Sequence, residues 1–400
     1  MGCKVLNYGS GGTSAALDAY YPTFGGVSLS AASTVEPRTE TTEQLNKTFS
    51  GLFAYVSANG HAASATLRFR KNGASGNQSV TIGAGLTGLF RDSINSDVLV
   101  SGDESNILYD RPGGTSSTAA QVGIFSDTGK TATARVGLYG SMTLSAASTN
   151  NTIPCVGNLR TGVDSIVGRI PAARAYTAKN MSVYIVSNAR GTACTVKMRK
   201  GGADAGPTIT IGAGLSGYFE DTVNTASFAI TEQCSYYFVT GAGSGNIVST
   251  VISHDQEFAD NTYTQYACEI TGRSINGATT QYMATQGLPL ITTTEPIQQV
   301  RMTGSGSLSG FAIYVSANAT TVAQDYTIRK NGVDTSLVIT IPTGGATGYF
   351  QNTTDIVSYA DGDLISIKIS KPSGSGAVTH RYYTLNTTAS TGFTPQTIFF

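Results

Sequence analysis

Apolar and polar residues alternate one by one along several stretches of this chain, and the alternation recurs. Leu67 and Phe69 are interleaved with Arg68 and Arg70, Val196 and Met198 with Lys197 and Arg199, and Tyr326 and Ile328 with Thr327 and Arg329. A period of two buries one face of an antiparallel strand and wets the other. Each strand runs into a turn phrase, Arg70-Lys71-Asn72-Gly73, Arg199-Lys200-Gly201-Gly202 or Arg329-Lys330-Asn331-Gly332, and then into a second alternating strand, Val80-Thr81-Ile82, Ile209-Thr210-Ile211 or Ile339-Thr340-Ile341. Asn-Gly and Gly-Gly accept the positive φ that a tight hairpin needs. No segment carries a sustained helical repeat with caps, and turn residues punctuate the chain every eight to twelve residues or so. The pattern predicts an all-β protein of tandem antiparallel β-sandwich domains.

Lys71 lies 129 residues before Lys200, and Lys200 lies 130 before Lys330, so the repeating unit is a whole small domain. Tyr55, Tyr184 and Tyr314, then Asn59, Asn188 and Asn318, then Gly88, Gly217 and Gly348 ahead of Phe90, Phe219 and Phe350, and finally Asp103, Glu232 and Asp363 recur at nearly the same intervals. The third copy has one extra residue, in Pro342-Thr343-Gly344-Gly345. Leu29-Ser30-Ala31-Ala32-Ser33-Thr34 returns 115 residues later as Leu144-Ser145-Ala146-Ala147-Ser148-Thr149. That shorter interval predicts about fourteen extra residues in the second copy, in the loop around Asn158 to Ile170. The division expected is an N-terminal arm over 1–20 and sandwiches over 21–140, 141–274 and 275–400, each long enough to bury its own core.

Composition narrows the setting. Lysine plus arginine is 25 and aspartate plus glutamate is 25, and charged residues make up only 12% of the chain, against about 25% in an ordinary soluble domain. So few charges describe a surface meant to be covered by neighbours. The balance argues against a nucleic-acid partner, which calls for a basic field. No apolar run has the length of a membrane span, and the first twenty or so residues lack a signal-peptide core. Met1-Gly2-Cys3 suggests acylation, but Leu6 stands where the myristoylation pattern wants Ser or Thr. The Gly- and Ser-rich start is read as a loose arm, and Phe399 and Phe400 at the other end are expected to complete the last sandwich.

Reactive groups do not share the repeat. Stepping from His61 by the repeat interval lands on Arg190 and then Thr320, so His61, His254 and His380 read as ordinary surface residues. No Gly-x-Ser-x-Gly elbow, phosphate loop or His-Glu-x-x-His pattern accompanies them. Asp92 and Asp221 match, but the third copy has Asn352. Asp103, Glu232 and Asp363 supply one acidic side chain per loop, too few oxygens for calcium and better suited to a turn. The cysteines, Cys3, Cys155, Cys194, Cys234 and Cys268, are odd in number and lack Cys-x-x-Cys spacing, so free thiols are expected. A Cys194–Cys234 bridge across the second sandwich is conceivable, though the sequence does not place the two sulfur atoms. No catalysis, metal or cofactor is expected. The one recurrent charged feature is Arg70 with Lys71, Arg199 with Lys200, and Arg329 with Lys330. It reads first as charge that discourages edge pairing beside a hairpin, and second as a set of docking tips for an acidic partner surface.

The order Arg-Lys-Asn-Gly, alternating strand, Gly-x-Thr-Gly-x-Phe-x-Asp, then Gly-Asp before Leu364-Ile365-Ser366-Ile367-Lys368-Ile369, resembles the β-sandwich modules of tailed-bacteriophage virion proteins. Those modules are similar to the jelly rolls of the tumour-necrosis-factor and complement-C1q type, which associate in threes. The second copy departs at Thr231-Glu232, where the others have Gly-Asp. The resemblance implies jelly-roll-like sandwiches and a structural role in the virion, assembled in the host cytoplasm. Most directly, it implies a capsid decoration or cement protein, three fused copies imitating a trimer that bridges neighbouring major capsid proteins, with other virion proteins and copies of itself as further partners. A tail, neck or head fibre that binds host glycans is the first alternative, and a cellular adhesin or filament subunit the second. A polysaccharide-degrading enzyme would need a paired-carboxylate site in one long domain, for which the repeat leaves little room.

Overall fold

A computed structural model of the chain describes residues 3–9, 18–23, 27–28, 36, 39–43, 46–111, 118–127, 133–144, 150–155, 157–158, 169–172, 174–259, 262–276, 279–285, 291–302, 305–360, 362–370 and 376–389. These residues form six sheets that face one another in pairs, making three all-β sandwiches. No helix among them is long and apolar enough to cross a membrane.

In the first sandwich one sheet runs Val27–Ser28, Cys3–Gly9, Thr118–Asp127, Lys47–Asn59, with Gly88–Arg91 and Ser96–Leu99 following one another along the far side of Lys47–Asn59. The facing sheet runs Ala19–Pro22, Glu104–Asp110, Ala65–Lys71, Ala74–Ile82. Gly88–Arg91 and Ser96–Leu99 can be counted as one broken edge strand and the two-residue pieces set aside. The strands, taken in chain order, then stack 1-8-3-6 against 2-7-4-5, the order of a jelly roll. The second sandwich repeats this with Thr133–Leu144, Ile247–Glu257, Tyr176–Asn188 and Gly217–Asp221 facing Asn150–Pro154, Gln233–Val239, Cys194–Lys200 and Ala203–Ile211. The third does so with Thr262–Asn276, Ala377–Ala389, Gly306–Asn318 and Gly348–Asn352 facing Gln281–Met283, Leu364–Ser370, Gln324–Lys330 and Val333–Ile341.

The hairpins form where the turn residues demand. Asn72 and Gly73 have φ of 50° and 73°, Gly201 and Gly202 58° and 93°, Asn331 and Gly332 51° and 77°. Positive φ at both central positions is a type I′ turn, whose twist matches the strands. The alternation of the preceding strand is realised as alternating burial from Ala65 to Phe69 and from Cys194 to Met198. A second shared device sits in the long central strand. Gly51, Asn180 and Gly310 occupy equivalent positions with φ of 62°, 52° and 57°, and the pairing register slips beside each. After this bulge, Leu52, Ala54 and Val56 point into their own core while Phe53 faces the other way.

Sheet membership corrects three sequence expectations. Cys3–Gly9, within the expected arm, is a strand paired with Thr118–Asp127. Thr133–Leu144 already belongs to the second sandwich and Thr262–Asn276 to the third, so the changes of domain fall earlier than 140 and 274. The first strand of a jelly roll pairs with the last, and carries none of the repeated turn phrases that guided the division. The Leu-Ser-Ala-Ala-Ser-Thr recurrence is not an equivalence. Leu144 closes the first strand of its sandwich, whereas Leu29 follows Ala19–Pro22, already the second strand of its own. The fourteen-residue insertion drawn from it has no basis. Residues 29–34, 159–168 and 390–400, with Phe399 and Phe400, lie outside the described residues.

The three cores are linked in a cycle. Val251 of the second sandwich belongs to the apolar cluster of the first, and Tyr184 packs against it. Tyr382 of the third belongs to the cluster of the second, with Tyr314 and Tyr349 packed alongside. Phe53 of the first is buried in the cluster of the third. Each domain therefore inserts side chains of its larger sheet, the one built of its longest strands, into one neighbour and receives them from the other, so the three close on themselves.

Candidate functional site

The recurrent lysine, the hairpin turn and the distant acidic residue are parts of one constellation. Lys71 Nζ lies 2.8 Å from Asp103 and donates to the carbonyl of Val98 at 2.9 Å. Lys200 lies 3.1 Å from Glu232 and bonds Ser227 O at 3.2 Å, and Lys330 lies 3.8 Å from Asp363 and bonds Ser358 O at 3.0 Å. The same acids accept backbone N–H groups from Val100 at 2.8 Å, Ala229 at 2.7 Å and Ala360 at 2.8 Å. In the first and third copies the turn asparagine joins in. Asn72 donates to Asp103 and accepts from the Glu104 N–H, and Asn331 does the same with Asp363 and Leu364. The lysine bond, with help from Asn72 and Val100, holds the Asp103 carboxyl down at about 2. Glu232 is lowered by the Ala229 N–H and Lys200.

The arginines turn toward the face of the smaller sheet. Arg70 meets Glu36 through Nε and, at 2.8 Å, through Nη2. Arg329 meets Glu295 at 2.7 Å and also pairs with Asp334. Arg199 lies over the Tyr237 ring, 4.0 Å from its centre, and 3.3 Å from Asp204. The residues singled out as docking tips are thus brought together in pairs within each domain, and each has partners inside its own domain.

Two further recurrences are explained by what they hold. Asn59, Asn188 and Asn318 close the loop after the hairpin strand by donating to the carbonyls of Gly83, Gly212 and Pro342 at 2.9, 3.0 and 2.8 Å. Asp92 and Asp221 lock the kink in the broken edge strand, accepting from Ser79, Ile94 and Asn95 and from Thr208, Val223 and Asn224. In the third copy the chemistry is exchanged in place. Asn352 donates to Val338 O at 3.0 Å, and the carboxylate moves to Asp355.

The face that joins the domains carries residues the sequence reading missed. The central strands Ile247–Glu257 and Ala377–Ala389 are buried on both sides over Ser249–Gln256 and Tyr382–Thr387. Ser182 and Ser253 share a 2.8 Å hydroxyl contact, Asn180 donates to Asp255 at 2.8 Å, and Tyr314 stacks on Tyr382 with ring centres 5.0 Å apart. Phe53, Ser182 and Ala312 occupy one position of the repeat, and all are buried. The signal that could have found them is loss of alternation, as in Phe311-Ala312-Ile313-Tyr314-Val315, where a strand with two covered faces need not keep one of them polar.

The histidines differ from the surface residues expected. His61, His254 and His380 are all buried. Nδ1 of His254 lies 2.6 Å from the hydroxyl of Tyr236, and that of His380 3.3 Å from Tyr326. A buried tyrosine hydroxyl answers the polarity that otherwise keeps imidazole at the surface. Cys155, Cys194 and Cys234 are buried free thiols. Thr195 pairs with Val239 and Lys200 with Cys234, so Cys194 and Cys234 stand at opposite ends of adjacent strands. That separation, about 20 Å at strand rise, rules out the bridge. Among the described residues no three His, Cys, Asp or Glu side chains gather where a metal ion could be held.

No protein-family model matches the chain, and no curated sequence matches it. Among solved structures it is similar to a chain from the triple jelly-roll and turret assembly of an archaeal virus, at 14% identity over 90% of this chain and 83% of that one, with a TM-score of 0.17. It is also similar to a chain of Sulfolobus turreted icosahedral virus, at 13% identity over 87% and 81%, with a TM-score of 0.17. Likenesses this remote carry no weight here, and the jelly-roll assignment rests on strand order alone.

Proposed function

We propose that this protein is a structural component of a virus particle, a capsid decoration or cement protein whose three fused jelly rolls act as one pseudo-trimer bridging neighbouring major capsid proteins. The observation that carries the reading is the cycle of shared cores, Phe53 into the third domain, Tyr382 into the second and Val251 into the first. A closed triangle presents three similar outer edges at roughly equal angles, the shape suited to a threefold or quasi-threefold position on a capsid. Attachment of this kind needs wide, weakly charged faces that exclude water and no chemistry, and charged residues are only 12% of the chain. Divergence among the copies lets each meet a different neighbour. A fibre of domains strung end to end is the weaker reading, since its terminal domains would not exchange core side chains.

Electron cryo-microscopy of intact particles tests this. A compact three-lobed density seated over junctions of the capsid shell is the expected result. Absence from the particle, or a place in a rod-like appendage, would overturn it.

A further inference from the structure

The clamp around Lys71, Lys200 and Lys330 has a geometry that points beyond turn stabilisation. Ser96–Leu99 pairs with the long strand of its sheet through Lys47–Ser50, and among the described residues no strand pairs along its other side; Ala226–Phe228 and Val357–Tyr359 are placed alike. The hairpin strand of the facing sheet packs beside the start of the edge, through Asn77 on Ser96 and Asp97 in the first domain, and leaves the edge without a paired strand. Natural edges carry their own protection, usually a lysine or a proline in the strand. Here the exposed row of the edge has none: Ile94, Ser96, Val98 and Val100 in the first domain, with Val, Thr, Ser and Ala and then Thr, Ile, Ser and Ala at the matching positions of the others. Uncharged, largely β-branched rows of this kind favour strand pairing.

One carbonyl and one N–H on the outward side of each edge are nevertheless engaged. The lysine ammonium takes the carbonyl of Val98, Ser227 or Ser358, and the acid takes the N–H two residues on, at Val100, Ala229 or Ala360. In the first domain Asn77 also donates to Ser96 O at 3.0 Å. Donor and acceptor are each filled by a side chain, and the two side chains are tied by their own ion pair. That is why Lys and Asp or Glu recur together.

We propose that the three Lys–acid pairs are edge plugs, which keep the outer edge of each larger sheet from accepting the same edge of a second copy of this chain. The occupant follows from the surface. The rows are uncharged and match themselves when two copies meet antiparallel about a twofold axis, and a chain with 25 basic and 25 acidic residues sets up no net repulsion between copies. The plug fills the hydrogen-bonding groups that strand addition would use. This inference does not depend on the virion reading.

The test is the triple variant Lys71→Met, Lys200→Met, Lys330→Met, which keeps the aliphatic stems and removes the ammonium groups, followed by light scattering across a hundredfold range of concentration. The wild type is expected to stay at the 41.4 kDa of one chain, and the variant to shift to at least twice that mass as concentration rises. Adding Val98→Lys, Ser227→Lys and Ser358→Lys, which puts a charge in the edge itself, should return it to one chain. Lys197→Met, which removes a hairpin-strand lysine paired with Asp204 and touching no edge carbonyl, should not associate. Equal masses for variant and wild type overturn the proposal, as does association by Lys197→Met or association that the edge lysines leave unchanged. If circular dichroism shows the triple variant unfolded, Lys330→Met alone carries the same readings, because the 3.8 Å spacing to Asp363 makes its carbonyl bond the main loss.

Discussion

Lys71 illustrates how much one side chain can hold when its partners are backbone groups. Its ammonium joins a hairpin to an edge strand and to the turn that follows, so a positive charge that looks free in the sequence is spent inside the domain. The first domain also contains a charge arrangement its siblings lack. Glu40 sits beside Glu104 and Glu36. Burial, then the neighbouring carboxylates, push it up to about 7. The equivalent positions are Arg169 with Gln233 in the second domain and Gln299 with Leu364 in the third. The folded chain keeps this proton up to about pH 7, whereas the unfolded chain releases it near 4.5. Folded protein binds more protons across that window, so stability falls as pH rises through it. Between pH 5 and pH 8, denaturant unfolding should show the wild type losing more stability, or gaining less, than Glu40→Gln, because His61, whose burial lowers the pKa of its imidazole, acts in the opposite sense but equally in both proteins. The pairing of lysine with acid was visible in the sequence as two recurrences about thirty residues apart; that they touch was not, because the strand carrying the acid returns beside the hairpin only in the folded sandwich.

Among elements, the bulge in the long central strand does the most. It needs a left-handed residue, supplied by glycine in the first and third copies and by Asn180 in the second, where the side chain bonds Asp255. Asn180 already carries its β-carbon into the left-handed region, where its short polar side chain offsets a cost that alanine meets in full, up to about 1–2 kcal/mol; Asn180→Ala also removes the amide that Asp255 accepts from. Asn180→Gly loses only the second term. Chemical denaturation should rank wild type above Asn180→Gly and Asn180→Gly above Asn180→Ala, with about 1 kcal/mol between the two variants. The hairpins, the facing strands and the all-β class were legible because alternation and Asn-Gly turns are local signals. Strands such as Cys3–Gly9 and Thr133–Leu144 were not, because their partners lie more than a hundred residues away and no turn phrase marks them. A chance run of Leu-Ser-Ala-Ala-Ser-Thr then stood in for a repeat that the strand order does not contain.

At the scale of the whole molecule, triplication is expressed as closure. Each larger sheet has two covered faces where its central strand passes the neighbour, one against its own core and one against the next domain. Phe53 is the link from the first domain to the third, and the ring depends on it. Phe53→Ala should cost about 3 kcal/mol, in the range for a buried aromatic, and loosen the first domain from the third before either unfolds. The sequence could show three copies but not their arrangement, since the residues that join them are small, uncharged and spread over strands that also build the cores. Small-angle X-ray scattering of the wild-type protein tests the closed arrangement most directly. A compact triangle of three such domains has a radius of gyration of about 21–25 Å, and three domains in a row about 33 Å, by the size scaling of folded chains. The lower value is expected, with an increase on Phe53→Ala; a wild-type value near 33 Å would contradict the closed ring.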